Sequence, residues 1–296
     1  MKLVRVGKVK EVYDEGETLL FKFTDKISVF DKIIPSRIPF KGESLCRTSE
    51  FWFRTVAQQA GVETHLIEKV SPIEMRVRKF TVPEGNGNIF SVNFLIPLEF
   101  VARYYLAGSL YDRVAEGKVA LSEIGLAGKP VYGQKLDDPY LEATTKFERF
   151  DRPLNKSEAL EIGGLRNEEL SEIFEYILKI DRRIEKRVGS NGLIHADGKK
   201  EFALGDHRQP VIVDTFGTAD EDRFWDRKEY ENGRIIELSK ESVRQYYRSN
   251  GYHDKLYEAR SKGTKEPDIS ALPENLISQT SDLYRSLFTR ITGEKW

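Results

Sequence analysis

Asp197-Gly198-Lys199-Lys200-Glu201 is the segment of this 296-residue chain best suited to chemistry. Side chains alternate across a strand, so Asp197, Lys199 and Glu201 share one face. The Gly205-Asp206 turn signal lets residues 194–204 pair with 211–216 as a hairpin. That pairing brings Asp214, which closes the apolar run 211–213, beside the same face. Carboxylates at Glu201 and Asp214 suit magnesium, a hard cation that takes oxygen ligands and shares them with substrate phosphates. Lys199 offers a mobile positive charge to a phosphoryl group in transfer. A surface salt-bridge ladder has the same spacing, so a phosphate-binding segment elsewhere must decide between the two.

Gly7-Lys8-Val9-Lys10, between two short strand candidates, is such a segment. Its glycine admits close approach to a ligand, and lysines at i and i+2 put two ammonium groups on one strand face, suited to a triphosphate. The same spacing also describes a solvated strand face. At 99–109, EFVARYYLAGS sets the planar fork of Arg103 near the hydroxyl of Ser109 on a small Gly-Ser turn, an arrangement for a phosphate monoester. An arginine paired with a neighbouring acid on a buried strand reads equally well there. Arg223, within DEDRFWD at 220–226, poses the same choice.

The elements that must position these residues follow from periodicity. Short alternating runs predict strands at 4–6, 9–13, 19–23, 64–67 and 75–80, interrupted by a helix over 43–60 that stops at Gly61. Residues 81–93, TVPEGNGNIFSVN, read as an excursion between strands rather than a flexible linker, with a lobe boundary just beyond. Helical spacing of Leu170, Ile173, Ile177, Ile184 and Val188 predicts an amphipathic helix over 168–188, capped by Asn167 and stopped at Gly189. His195, beside the Asp197 motif, reads as a strand-edge histidine rather than a catalytic base. Further helices are expected over 240–249 and from Pro273 to Gly293.

Composition sets bounds. Apolar residues at 39% suffice for a substantial core, and 47 basic against 48 acidic residues leave no bulk field for nucleic acid or a membrane surface. The single cysteine, Cys46, excludes an intramolecular disulfide and a multi-thiolate metal site and suits the cytoplasm. The N-terminal run MKLVRVGKVKEVYDEG, with charges interrupting every apolar stretch, reads as neither a signal-peptide core nor a membrane span.

Together these segments resemble the SAICAR synthetase family of purine biosynthesis. The likeness runs through GKVKEVY, TDKISVFD at 24–31, Lys41-Gly42, PLEFVARYYLAGS at 97–109, TTKFERFD at 144–151, DGKKEF at 197–202 and DTFGTADEDRFWD at 214–226, in family order. It implies an α+β, two-lobed ATP-binding fold similar to that of protein kinases, with added C-terminal helices. Residues 1–96 would form a β-rich lobe covering the nucleotide, and 97–296 an α+β lobe with the metal and ribotide sites. The implied reaction condenses carboxyaminoimidazole ribotide with L-aspartate, using ATP and magnesium. The resemblance gives Lys8 and Lys10 to the ATP phosphates, Glu201 and Asp214 to magnesium, Lys199 to the reacting phosphoryl group, and Arg103, Ser109 and Arg223 to the ribotide. The 97–99 stretch, ending at Glu99, resembles the hinge whose backbone meets adenine; Asp31, Lys41 and Lys146 match family segments without an assigned contact.

The chain departs from the family at Asp214-Thr215, where Asp-Glu is usual, at Ala219, where Pro is usual, and in the insertion at 81–93. A small-molecule kinase of related fold would share the lysines and the metal acids, and a regulator that binds nucleotide without turnover would account for Thr215. The sequence sets no oligomeric state.

Overall fold

The structure, a computed structural model, describes residues 1–148 and 151–296; Arg149 and Phe150, inside the 144–151 segment, lie outside the described residues. Contacts divide the chain into two compact units interleaved in sequence. One comprises Met1–Glu50, Leu66–Arg78 and Glu237–Trp296, the other Phe51–His65 and Lys79–Ile236. The division expected at 96/97 follows chain order, whereas contacts gather the C-terminal helices with the first strands.

The first unit holds an antiparallel sheet of β1 (Lys2–Val6), β2 (Lys10–Asp14), β3 (Thr18–Phe23), β4 (Leu66–Ser71) and β5 (Glu74–Arg78), in the order β1-β2-β3-β5-β4. Met75 and Val77 alternate with polar neighbours and are fully buried, so β5 presents one face to a core, while β1 is exposed along its whole length. The expected helix begins at Lys41–Trp52, continues through a wider π turn at Phe53–Ala57 and Gln58–Ala60, and ends where Gly61 takes φ +74°. Helices Glu241–Ser249, Tyr252–Lys262 and Glu274–Thr292 complete this unit. Ser44 Oγ donates to Tyr284 O at 2.9 Å and Ser281 Oγ to Pro39 O at 2.8 Å, tying the last helix to the segment before Gly42 and the turn that follows it.

The second unit is built on a mixed sheet in which β6 (Leu98–Tyr105) lies between β7 (Lys135–Thr145) and β8 (Leu193–Leu204), followed by β9 (Pro210–Val213). A further strand, β10 (Asp222–Asp226), also pairs with β8. The Asn167–Gly189 helix packs on β8 through Leu170, Ile173, Ile177, Ile180, Ile184 and Val188. Arg166 rather than Asn167 occupies its cap, with the Glu169 carboxylate accepting from Arg166 N at 2.8 Å. No described helix is long and apolar enough to cross a membrane.

One irregularity decides which way β8 aims its charges. A register shift between His195 and Asp197 switches the side-chain alternation, so His195 shares a face with Lys200 while Asp197, Lys199 and Glu201 occupy the other. His195 is therefore not at a strand edge but sits buried in the sheet interior.

The 81–93 excursion is fixed in place. Gly87 N donates to Ile162 O at 2.7 Å, and a Cβ at Gly87 would meet Gly163 O at 2.3 Å, so only glycine admits this approach. Buried Arg208 binds both Glu169 oxygens, at 2.7 and 2.8 Å, and donates to the carbonyls of Gly164, Asn88 and Ser91. Burial opposes the charged form of Glu169, yet Arg208 and the Arg166 N–H outweigh it and hold the carboxyl below its usual range. The pair's stabilisation is thus complete above the ordinary carboxyl range and lost as pH falls through the depressed value. We predict that Glu169→Gln destabilises the fold by about 3 kcal/mol near neutrality, the scale for stranding a buried partner. Melting curves should show the gap between variant and parent closing below about pH 4; a gap constant with pH would refute the ion pair's role.

Candidate active site

The outer face of β8 carries a dense set of charges. Lys199 Nζ lies 2.7 Å from Glu201 Oε1, 3.1 Å from Glu99 Oε1 on β6 and 3.2 Å from Glu221 Oε2. Lys146 pairs with the other oxygen of Glu201 and stands 4.0 Å from Glu99. Burial works against every charge here, and the pairing decides the outcome. Glu201, between two ammonium groups, is held well below the usual carboxylate range, and Lys199, among three carboxylates, well above the usual ammonium range. Glu99 goes the other way: burial and the charge of Glu201 outweigh Lys199 and Lys146 and raise it to about 7.

Asp214 follows Val213, which sits opposite Glu201 in the β8–β9 ladder, and it takes φ +63°, a left-handed conformation uncommon for a side chain larger than glycine. Thr215 Oγ1 lies 3.4 Å from Asp214 Oδ1 and 3.3 Å from Glu221 Oε1. Every acidic donor on this face offers oxygen, the chemistry magnesium requires. The inner face of β8 holds the tightest acid and histidine group among the described residues, Asp181, His195 and Asp222. It already contains its own cation: Lys200 Nζ is 2.5 Å from Asp181 and 3.8 Å from Asp222, and all of these side chains are fully buried. It is an internal ion-pair network rather than a metal centre.

An anion pocket forms two residues along β8. Arg103 donates to Glu142 Oε1 through Nε at 2.8 Å and Nη2 at 2.6 Å, and to Ser109 Oγ at 3.2 Å; its Nη1 lies 3.5 Å from Asp197 Oδ2. Arg223 pairs with the same Asp197 oxygen, and Arg113 binds the second oxygen of Glu142 at 2.6 Å. The Gly108–Ala115 helix begins here without a side-chain cap, so its first N–H groups add to the positive potential. Gly108 takes φ +53°, and a Cβ there would stand 2.7 Å from the Arg223 guanidinium. Three guanidinium groups, one hydroxyl and a helix N-terminus supply the kind of donors that suit a phosphate monoester.

In the first unit, Lys8 lies in the bend between β1 and β2, so it does not share a strand face with Lys10, as alternation suggested. Lys8 Nζ pairs with Asp31 at 2.5 Å, and Lys10 Nζ sits 4.6 Å from the Phe21 ring centroid. Lys41 is fully buried against the Tyr284 ring.

Residues 3–259 match the SAICAR synthetase family. Across the full length of both chains, the sequence is 62% identical to the phosphoribosylaminoimidazole-succinocarboxamide synthase of Thermoplasma volcanium and 60% identical to that of Thermoplasma acidophilum. The chain belongs to the SAICAR synthetase family. The fold agrees: the SAICAR synthase of Saccharomyces cerevisiae, solved in complex with SAICAR, superposes with a TM-score of 0.77 at 23% identity, covering 99% of this chain and 95% of that one. A SAICAR synthetase solved with ADP gives 0.70 at 24% identity, covering 99% and 98%.

For a SAICAR synthetase, the sequence-predicted residues fall into local groups. Lys199 and Glu201 meet directly, with Glu99 beside them through its carboxylate; the backbone of Glu99 runs inside the β6–β7 ladder opposite Thr144. Arg103 and Ser109 meet directly, and Arg223 joins Arg103 through Asp197. Sequence reasoning missed Glu142 and Arg113, which enter only through the β6–β7 register, and Glu221, whose reach to Lys199 depends on the loop before β10. Because Gly108 is required by both its φ and the Arg223 guanidinium, Gly108→Ala should weaken binding of a phosphate monoester such as ribose 5-phosphate by about tenfold, or about 1.4 kcal/mol. Calorimetry on the folded variant measures this; unchanged affinity would remove Arg223 from the pocket.

Proposed function

We propose that the chain is a cytoplasmic ligase that condenses carboxyaminoimidazole ribotide with L-aspartate, coupled to cleavage of ATP to ADP and phosphate, in purine biosynthesis. The observation that carries the assignment of roles is that one strand joins both charged sites. Asp197, which pairs with Arg103 and Arg223, and Lys199, which sits among the acids, are two residues apart on one face of β8, about 7 Å. A substrate phosphate held by Arg103, Ser109 and Arg223 therefore sets the rest of the ribotide along the strand toward Lys199.

A carboxylate is a poor acyl donor, so it must be activated before an amine can displace oxygen from it. In the proposed sequence a carboxylate oxygen of the ribotide attacks the γ-phosphorus of ATP, ADP leaves, and an acyl phosphate forms. The aspartate amine then attacks the acyl carbon, phosphate departs with the bridging oxygen, and the nitrogen loses its proton to leave the amide. Lys199 meets charge on the transferring phosphoryl oxygens, the main contribution a protein makes to this reaction. Lys146 keeps Glu201 ionised and in place. Lys8 and Lys10 act on the ATP phosphates, and the Glu99 carboxylate pairs with Lys199. Magnesium, held by Glu201 and Asp214, would supply further neutralisation of phosphate charge. No protein nucleophile is needed.

ADP release should require magnesium, the carboxylated ribotide and L-aspartate together, measured by omitting each in turn. Release at full rate without aspartate would mean a kinase that phosphorylates the ribotide and stops. Lys199→Ala should lower turnover by about 100-fold to 1,000-fold when assayed below its melting transition, and should also lower the melting temperature because Glu99, Glu201 and Glu221 lose their shared cation; near-normal turnover would reduce the β8 face to a salt-bridge ladder.

A further inference from the structure

Glu221 is the acid on this face that the mechanism above leaves without a role. Its contacts single it out. Its carbonyl accepts from Lys199 N at 3.2 Å, while its own Oε2 lies 3.2 Å from Lys199 Nζ. Residue 221 thus grips both ends of the lysine, backbone and ammonium. Its other oxygen, Oε1, accepts from Thr215 Oγ1 at 3.3 Å, and the same hydroxyl reaches Asp214 Oδ1 at 3.4 Å. The loop that delivers it is rigid at its root: Glu221 N donates to Thr218 O at 3.2 Å, Asp222 N to the same carbonyl at 2.9 Å, and Gly217 N to Asp222 Oδ1 at 2.7 Å. Gly217 O in turn accepts from Trp52 Nε1 at 2.8 Å, and a Cβ at Gly217 would stand 2.2 Å from that nitrogen.

We propose that Glu221 is a positioning residue for phosphoryl transfer: it holds Lys199 in line and places, from the loop before β10, a carboxylate within reach of the Thr215 hydroxyl that also neighbours Asp214. This rests on the function proposed above. Two ammonium groups, Lys199 and Lys146, face Glu99, Glu201 and Glu221. Without Glu221 the Lys199 ammonium leans entirely on Glu201 and Glu99, and Glu201 is the carboxylate wanted for the metal. With Glu221 present, Glu201 can turn from the lysine while the lysine stays where it is.

The test is a relocation of charge. Glu221→Gln keeps the shape and one acceptor but removes the charge, and should lower kcat by about 10- to 100-fold, the range seen when groups supporting a metal or catalytic ligand are lost. The magnesium concentration for half-maximal rate should rise, and KM for the ribotide should hold near its parental value, because the arginine pocket is untouched. Thr215 Oγ1 already reaches both neighbouring carboxylates, so Thr215→Glu in the Glu221→Gln background should restore much of the lost rate. Thr215→Glu alone should not help, since it sets like charges side by side. Melting curves identify any variant that has merely lost its fold, and Glu221→Asp serves as the milder second variant, with an intermediate kcat. A folded Glu221→Gln enzyme with parental kcat and magnesium dependence, or a double variant no better than the single, would overturn the proposal. Failure of the function reading is separate: the parental chain itself would release no ADP with ATP, magnesium, the ribotide and aspartate.

Discussion

The structure depends on β8 carrying ions on both faces of a strand inside the sheet. Removing an ion from water costs several kcal/mol even after relaxation, so each charge here must have a partner in place before the strand can be buried. On the inner face Lys200 meets Asp181, His195 meets Asp222, and Tyr104 Oη donates to Asp181 at 2.8 Å. Burial opposes the charged forms of His195 and Lys200, but the acids outweigh it and hold both above their ordinary values. This network joins the Asn167–Gly189 helix, β6 and the start of β10 to the strand that bears Lys199. The bulge after His195 makes both faces possible, turning one side chain inward and leaving the alternation of Asp197, Lys199 and Glu201 intact.

On the outer face the same pairing rule prepares the site for anions. Arg103, Arg223 and Arg113 are held by Glu142 and Asp197, and Lys199 by Glu99, Glu201 and Glu221. Each cation is ordered before substrate arrives, so binding need not freeze long flexible side chains. In the proposed function, phosphate oxygens would join or replace the carboxylate oxygens around these cations. The strain at Asp214, a non-glycine residue at φ +63°, lies where two features of the site converge, the end of β9 and the Thr215–Glu221 link.

Local chemistry was legible where it resided in short segments. Alternation placed Asp197, Lys199 and Glu201 on one face, the Gly205 turn paired β8 with β9, and spacing found the long helix nearly to its ends. The Pro, Asn and Gly content of 81–93 marks an excursion between strands, and Arg208 and the Gly87–Gly163 contact are what lock it. Illegible features were those made by register or by loops. The pairing of Arg103 with Glu142 needs the β6–β7 alignment, the inward turn of His195 needs a bulge, and the bend at Lys8 breaks the alternation assumed for Lys8 and Lys10. A contiguous boundary at 96/97 could not anticipate that residues 237–296 would gather with the first strands, because that grouping is made by tertiary contacts far apart in sequence.

In the proposed function, ATP activates the ribotide carboxylate by phosphorylating it on the Lys199 face. The most direct measurement follows oxygen. With both carboxylate oxygens of the ribotide labelled with oxygen-18, an acyl phosphate leaves one label in the amide carbonyl and transfers the other to released phosphate, where mass spectrometry reads it. Released phosphate carrying one labelled oxygen per turnover is the predicted result. Phosphate free of label, with turnover normal, would rule out phosphorylation of the ribotide carboxylate.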